Sequence, residues 1–332
     1  MTLVQKEALI NEYKGNLFEF LVAQNLAQSF TLESAFLKSL PTSFHERLAF
    51  YQDYLMQNDR ELFKRLPLLA KEVAEAIKGR LKGNLKEVLV VGKLTGIHER
   101  SEWGEADIIL NGESGVKKIS LKLCKDNAYV NTKSAGVKSF IEKYFSRFPD
   151  SAKFQKALND KVEKDFYKMA YALYEKAGLK FCGNFDESWI EAGMTELPGQ
   201  LDEEYSEIVL KYYFEQASFL KETLLQFQAQ NPVDFALSLY PILGIADPDI
   251  LQVICFHSMK DHEKYLLKEI SMMEIADLTE ELKVLNFLGD HKEKSSFEIC
   301  LSKIILQIRC KPMNKFTVPG LKINCSIKKG SL

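Results

Sequence analysis

The chain has 332 residues, of which 46% are hydrophobic and 27% charged, and its formal net charge is −2. A chain of this size can bury a substantial core, as one large domain or two smaller ones, and its composition excludes a disordered protein. It contains no long apolar run, and residues 1–11 mix acidic and polar side chains with apolar ones. We therefore expect no membrane span, no secretory signal and a cytoplasmic protein.

Six cysteines and five histidines are spread thinly along the sequence. None of the cysteines forms a Cys-x-x-Cys pair, and the histidines have no metal-ligand spacing, so we expect reduced thiols and no zinc site. The sequence also lacks a Gly-x-x-x-x-Gly-Lys-[Ser/Thr] loop, which argues against a nucleotide cofactor.

Charge is distributed unevenly along the chain. Lys117–Arg147 contains eight basic residues and two acidic ones, and Leu301–Leu332 contains seven basic residues and no acidic one. Residues 151–300 are acidic overall. Two interpretations stay open: the basic segments form a surface that binds a polyanion, or they are chance clusters on a solvated surface.

The first part of the chain is predicted to be helical and then to change to short strands. Apolar periodicity predicts helices over residues 15–28, 32–39, 44–55 and 60–81, with Pro67 interrupting the last. Valine-, isoleucine- and leucine-rich runs predict strands over residues 86–91, 106–110 and 116–124. Asn111-Gly112 and Gly115 predict that the second and third strands form an antiparallel hairpin.

The remainder is predicted to be helical first and then mixed. We expect a helix over residues 134–145, a helical region over 151–230, and a loop-rich passage marked by Pro232, Pro241, Gly244 and Pro248. A buried strand is expected over 250–256, and a basic strand pair over 303–310 and 321–327, around Pro319-Gly320. The fold class is α/β or mixed α+β. The predicted divisions are residues 1–150, a helical insertion over 151–245, and 246–332.

The segments that carry chemistry lie in the predicted hairpin. Side chains alternate between the two faces of a strand, so Glu105 and Asp107 share one face, and Ser120, Lys122 and Cys124 share a face of the next strand. Pairing the two strands can bring Asp107 and Lys122 within reach of each other. The alternative is a half-buried hairpin whose polar residues face solvent.

This arrangement resembles the core of the PD-(D/E)XK nucleases. The resemblance consists of Gly104 shortly before Asp107, an apolar strand, a short hairpin and a strand that carries Lys122. It extends over residues 13–147. Glu19 lies on a helix that precedes the strands, and the predicted 134–145 helix follows them in the sequence. The resemblance implies a restriction-endonuclease-like core sheet flanked by helices, with residues 250–256 as a further core strand.

Two positions depart from the family pattern. Ala106 precedes Asp107 where the family commonly has proline, and Ser120 stands two residues before Lys122 where it has aspartate or glutamate. A serine hydroxyl is a poor ligand for Mg²⁺, which prefers carboxylate and carbonyl oxygens. Some similar restriction enzymes take the missing carboxylate from the following helix, which here makes Glu142 the candidate, and Glu105 is its competitor.

The resemblance implies a Mg²⁺-dependent endonuclease. Asp107, a second carboxylate and the backbone carbonyl of Leu121 would hold the metal, Lys122 would act on the attacking water and the phosphate, and Glu19 would bind metal-ligated water or position Lys122. Ser120 belongs to this catalytic set by position. The substrate implied is double-stranded DNA with a specific and symmetric sequence, as for a type II restriction enzyme, and a homodimer is the expected assembly.

A set of basic, amide and aromatic side chains in the two basic segments is expected to contact DNA. Its members are Lys125, Asn127, Tyr129, Asn131, Lys133, Lys138, Arg309, Lys311 and Lys315. For the C-terminal members, the alternative is a basic edge hairpin whose lysines discourage aggregation. Two other functions stay open: a repair or phage-defence nuclease on the same fold, and a nucleic-acid-binding protein that has lost catalysis.

Overall fold

The computed structural model describes residues 3–91, 104, 106–278, 284–288, 295–302 and 304–329. Within these residues the α-helices are Leu3–Ser29 (α1), Glu33–Ser39 (α2), Thr42–Asn58 (α3), Arg60–Arg80 (α4), Phe140–Tyr144 (α5), Ser151–Lys176 (α6), Glu187–Glu191 (α7), Glu203–Gln230 (α8), Pro232–Leu243 (α9) and Ile275–Leu278 (α10). The strands are Leu85–Val90 (β1), Ile108–Gly112 (β2), Gly115–Lys125 (β3), Val130–Gly136 (β4), Ile250–His257 (β5), Leu267–Met273 (β6), Val284–Leu288 (β7), Ser296–Leu301 (β8), Ile304–Pro312 (β9) and Leu321–Lys329 (β10).

The protein has a mixed α+β fold, as the sequence predicted. It divides into two compact units, Met1–Ala128 with Asp247–Leu278 and Tyr129–Ala246 with Thr279–Leu332. The second unit therefore combines helices α5 to α9 with β4 and the basic C-terminal strands. None of the described helices has the length and apolar character needed to cross a membrane.

The first unit is built on a mixed five-stranded sheet with the order β1-β2-β3-β5-β6. The predicted hairpin is present: β2 and β3 pair antiparallel, with Ile108 opposite Ile119 and Gly112 opposite Gly115. The turn residues are Glu113 and Ser114, just after the predicted Asn111-Gly112 signal. β5 pairs parallel with β3, and all eight of its residues are buried, so the predicted buried strand is confirmed.

Helices α1 and α4 contribute to the hydrophobic core of this unit. α4 has buried residues at Leu62, Leu66, Leu69 and Val73, the spacing of one helix face. The Asp59 carboxylate caps the helix by accepting a hydrogen bond from the Leu62 amide, at 3.1 Å. The expected interruption at Pro67 is wrong, because α4 continues through it. Burial of the apolar face on both sides of Pro67 offsets the lost backbone hydrogen bond.

Two leucines that flank Pro67 test this account of the core. Leu66 is fully buried, whereas Leu68 is 56% exposed. We expect Leu66→Ala to lower the free energy of unfolding by about 2–5 kcal/mol and Leu68→Ala to change it by less than about 0.5 kcal/mol. Urea denaturation followed by circular dichroism measures both values. Equal losses of stability in the two variants would contradict the assignment of Leu66 to the buried face of α4 and Leu68 to its exposed face.

The second unit is built on an antiparallel five-stranded sheet with the order β4-β10-β9-β8-β7. Strands β8, β9 and β10 alternate between buried and more exposed residues. Helix α8 contacts β8 and β9, and α9 contacts β4 and β10. α6 and α8 pack against each other along their lengths. The buried residues of β8, β9 and β10 thus belong to a core shared with helices.

The strands predicted around Pro319-Gly320 are confirmed as β9 and β10, which pair antiparallel from Leu321 opposite Pro312 to Lys329 opposite Ile304. They are not an edge hairpin. β10 lies between β4 and β9, and β9 lies between β10 and β8. Protection of an exposed edge therefore does not explain the basic residues of these two strands.

Two local predictions for this unit are wrong. The predicted 134–145 helix begins as strand β4, because residues 130–136 pair with β10, and only Phe140–Tyr144 forms an α-helix. The passage expected to be a loop after Pro232 contains helix α9. Pro232 occupies the first turn, where a missing amide hydrogen removes no bond. The Asn231 side chain accepts hydrogen bonds from the Val233 and Asp234 amides at 3.1 Å, and Gly244 ends the helix with a φ of 84°.

Candidate functional site

Asp107 lies immediately before β2, between two neighbouring strands. Its amide donates a hydrogen bond to the Ile119 carbonyl at 2.8 Å, and its carbonyl accepts one from the Val91 amide at 3.0 Å. The regular β2–β3 register ends with Ile108 opposite Ile119, and the Asp107 amide bonds to the carbonyl of that same Ile119. The backbone of Asp107 is thus held from both sides at the point where the regular β2–β3 pairing ends.

The Asp107 side chain continues the hydrogen bonding where the backbone pairing stops. Its Oδ2 accepts a hydrogen bond from the Leu121 amide at 2.6 Å, and 20% of the side chain is exposed. A hydrogen bond to a carboxylate is short and stronger than one between neutral groups. This bond fixes the direction of the carboxylate and brings Leu121 into the site through its backbone amide.

Lys122 lies on β3 directly after Leu121, beyond the point where the regular β2–β3 pairing ends. Its Nζ lies 3.9 Å from Asp107 Oδ2, and 34% of the side chain is exposed. The proximity expected from strand alternation is observed. The catalytic roles of the two residues stay predictions.

Glu19 brings a second carboxylate to this pair from helix α1. It is half-buried, and its pKa is raised from an ordinary value of 4.5 to about 8. Burial is the main cause, the negative charge of Asp107 raises the pKa further, and the positive charge of Lys122 lowers it. At neutral pH, Glu19 therefore keeps a proton unless a further positive charge arrives.

Ser120 is 4% exposed and pairs in register with Gln252 of β5, which is also buried. Its hydroxyl is neutral and cannot replace the missing carboxylate of the family pattern. Two other carboxylates were candidates for the second metal ligand, Glu105 and Glu142. Glu105 lies outside the described residues, and Glu142 belongs to the second unit, where it is exposed on α5.

The described residues contain no group of three or more His, Cys, Asp or Glu side chains arranged to hold a metal ion. The first unit instead offers Asp107 and Glu19. Mg²⁺ is commonly held by one or two carboxylates, with water and substrate phosphate as its other ligands. Burial is the main cause of the raised pKa of Glu19 and the negative charge of Asp107 adds to it; a divalent cation bound beside the two carboxylates would oppose both effects. Asp107 and Glu19 thus fit a magnesium ion in donor chemistry.

Sequence reasoning missed Lys14, which precedes Glu19 on α1. Its pKa is lowered by burial, and it interacts electrostatically with Cys124 at the end of β3. Burial raises the pKa of the Cys124 thiol, and Lys14 and Lys122 oppose that change. Alternation along β3 had already placed Cys124 with Lys122. Nothing local indicated Lys14, because its position depends on how α1 packs on the sheet.

The predicted DNA-contacting residues are divided between the two units. Lys125 and Asn127 are exposed in the first unit, where β3 ends, and Asn127 has a φ of 59°. The members in the second unit are Tyr129, Asn131, Lys133, Lys138, Arg309, Lys311 and Lys315. Lys315 forms an ion pair with Glu196, whose carboxylate also accepts a hydrogen bond from Thr317 Oγ1 at 3.1 Å. Its charge is therefore compensated within the protein.

The chain was compared with protein-family models, with curated proteins and with solved structures, and none of the three comparisons found a match. The indications of function are therefore the geometry of Asp107, Lys122 and Glu19 and the resemblance of the hairpin motif.

Proposed function

We propose that the protein is a Mg²⁺-dependent endonuclease that hydrolyses phosphodiester bonds of double-stranded DNA at a specific sequence, as type II restriction enzymes of the PD-(D/E)XK kind do. The observation that carries the proposal is the Asp107 carboxylate, held where the β2–β3 pairing ends and 3.9 Å from the Lys122 ammonium. Glu19 supports it as a second carboxylate that interacts electrostatically with both.

In this proposal Asp107 and Glu19 hold the metal ion. A bound Mg²⁺ would lower the pKa of a coordinated water and neutralise charge that develops on the phosphate. The oxygen of that water would form a new P–O bond and lose a proton to solvent. The bond to one sugar oxygen would break and that oxygen would take a proton from solvent, so that the products carry a phosphate and a hydroxyl group. Lys122 orients the water and stabilises the negative charge on the phosphate oxygens as a point charge. The Leu121 amide keeps the Asp107 carboxylate directed into the site.

Buried Ser120 favours a second candidate function, a protein that binds DNA without cutting it. The neutral hydroxyl stands where the family supplies a carboxylate. Asp107 and Glu19 are then the two carboxylates left to hold a metal ion, and the described residues contain no group of three such ligands. The two candidates differ in one measurable property, which is metal-dependent cleavage.

Incubation of the purified protein with phage and plasmid DNA, with Mg²⁺ or with EDTA, tests the proposal on a gel. We expect discrete fragments that require Mg²⁺, because a specific endonuclease cuts at fixed positions. A metal-dependent smear would indicate a repair or degradative nuclease on the same site. Intact DNA in every lane, together with measurable DNA binding, would support the non-catalytic candidate.

A further inference from the structure

The sheet of the second unit has one face that is rich in positive charge. In β9 the buried residues Leu306, Ile308 and Cys310 alternate with Arg309 and Lys311. In β10 the buried residues alternate with Lys322, Asn324, Ser326 and Lys328. Because alternate residues point to opposite faces, the basic side chains lie on the face opposite the buried one.

Strand register brings these side chains together across the sheet. Lys322 lies directly opposite Lys311, and Asn324 lies directly opposite Arg309. The row of Asn324 and Arg309 extends to Ser134 on β4 and Ser296 on β8. Ser134 Oγ donates a hydrogen bond to Asn324 Oδ1 at 2.8 Å. Cations in neighbouring positions, flanked by hydroxyl and amide groups, therefore form a continuous patch.

Within the five described strands, a single acidic residue accompanies the basic side chains of this face. This residue is Glu298, and its carboxylate accepts a hydrogen bond from the Tyr129 hydroxyl at 2.5 Å. Arg309, Lys311 and Lys322 form no ion pair with any carboxylate among the described residues, in contrast to Lys315. Burial lowers the pKa of Lys311, and the neighbouring positive charges of Lys322 and Arg309 lower it further.

The position of β9 and β10 inside the sheet rules out protection of an exposed edge as the reason for their basic residues. Lysines on an edge strand prevent aggregation, but β9 and β10 are internal strands of the sheet. Uncompensated cations side by side reduce stability, and a bound polyanion removes that repulsion. Amide and hydroxyl groups between the cations suit hydrogen bonds to phosphate and sugar oxygens and to base edges.

We propose that this face, defined by Arg309, Lys311, Lys322, Asn324 and Ser134, binds the phosphate backbone of double-stranded DNA and is a docking surface distinct from the Asp107 site. The choice of DNA as the polyanion depends on the proposed nuclease function. The surface acts without the metal site, since no residue of the first unit belongs to it. Arg309 and Lys311 supply charge from β9, and Lys322 supplies it from β10.

The test is a charge-neutral variant, Arg309→Gln/Lys311→Gln/Lys322→Gln, compared with a control that removes three exposed lysines of the same unit, Lys153→Gln/Lys164→Gln/Lys180→Gln. Binding of a labelled duplex of about 30 base pairs is measured by fluorescence anisotropy in EDTA over a range of salt concentrations. We expect at least about tenfold weaker binding at about 0.1 M salt and a salt slope smaller by about 2 to 3 for the face variant. The control should bind like the wild type.

Wild-type protein supplies a measurement that does not depend on how the variant folds. Acetylation of lysines followed by mass spectrometry should show that the duplex protects Lys311 and Lys322 but not Lys153 and Lys164. Unchanged binding by the face variant, equal losses in face and control variants, or unprotected Lys311 and Lys322 would each overturn the proposal. Tighter binding of heparin or single-stranded DNA than of the duplex would overturn the choice of partner.

Because binding is measured without Mg²⁺, these results separate the docking surface from catalysis. A wild-type protein that binds duplex DNA through this face but never cuts it would keep the docking surface and reject the nuclease. A wild-type protein that cuts DNA, together with a face variant that binds DNA normally, would keep the nuclease function and reject the docking surface.

Discussion

Replacing Asp107 by asparagine, or Lys122 by alanine, is expected to reduce the rate of DNA cleavage by about a hundredfold to a thousandfold. The affinity for DNA in Ca²⁺ should stay nearly unchanged. Asparagine keeps an oxygen that can accept the 2.6 Å hydrogen bond from the Leu121 amide, so the local backbone should persist. The variant removes only the negative charge. Lys122→Ala removes the ammonium 3.9 Å from Asp107 without affecting the backbone of β3.

Matched controls for these variants come from exposed positions of the same unit. Asp53→Asn on α3 and Lys86→Ala on β1 remove the same charges from exposed side chains. Single-turnover cleavage rates and binding affinities are measured for all four variants. If Asp107→Asn and Lys122→Ala lost binding and cleavage to the same extent, the two residues would be part of the scaffold and not of the catalytic centre.

The hairpin was predictable because its information is local. Alternation along β3 placed Lys122 and Cys124 on one face, and the glycines near residue 112 predicted the turn. The observed register then leaves Asp107 just beyond the last pair, Ile108 opposite Ile119. The apolar run over β5 predicted a buried strand, which a parallel neighbour in the middle of a sheet requires. Each of these signals lies within a few residues of the structure that it specifies.

The errors occurred where the determining contacts are distant in sequence. Residues 130–136 are a strand because they pair with residues 322–327 of β10, which are far away in the sequence. The assignment of β4 therefore could not be made from Ser134 and its neighbours alone. For Glu19, the helix could be predicted from the sequence but the environment of the side chain could not. Its raised pKa depends on how α1 packs near Asp107 and Lys122.

The proton held by Glu19 predicts how metal binding depends on pH. The pKa of about 8 means that the side chain is mainly protonated at neutral pH without metal. A divalent cation binds the carboxylate, so below pH 8 it must displace that proton. We expect the apparent Mg²⁺ affinity to rise by up to about tenfold per pH unit from pH 6 to about 8 and then to level off. Calorimetry in buffers of different ionisation enthalpy should detect release of close to one proton at pH 7.

The same raised pKa fixes the sign of an effect on stability. The folded protein favours the protonated form of Glu19, so the contribution of this group to stability is full below its ordinary pKa of 4.5 and is lost as the pH rises through about 8. In EDTA, wild-type protein should therefore lose thermal stability between pH 5 and pH 8 relative to Glu19→Gln, whose amide does not titrate. Equal pH profiles for the two proteins would contradict the assigned environment of Glu19.

Glu19→Gln, Glu142→Gln and Glu105→Gln together decide which carboxylate completes the site with Asp107. Glu19 lies in the first unit with Asp107, whereas Glu142 is exposed in the second unit. We expect Glu19→Gln alone to abolish proton release and to weaken Mg²⁺ binding about tenfold or more. If Glu142→Gln produced that loss instead, the second ligand would come from the other unit, as in restriction enzymes whose carboxylate has moved to the following helix. A loss confined to Glu105→Gln would assign both ligands to the segment that leads into β2, and the raised pKa of Glu19 would then reflect its burial near Asp107 and not metal binding.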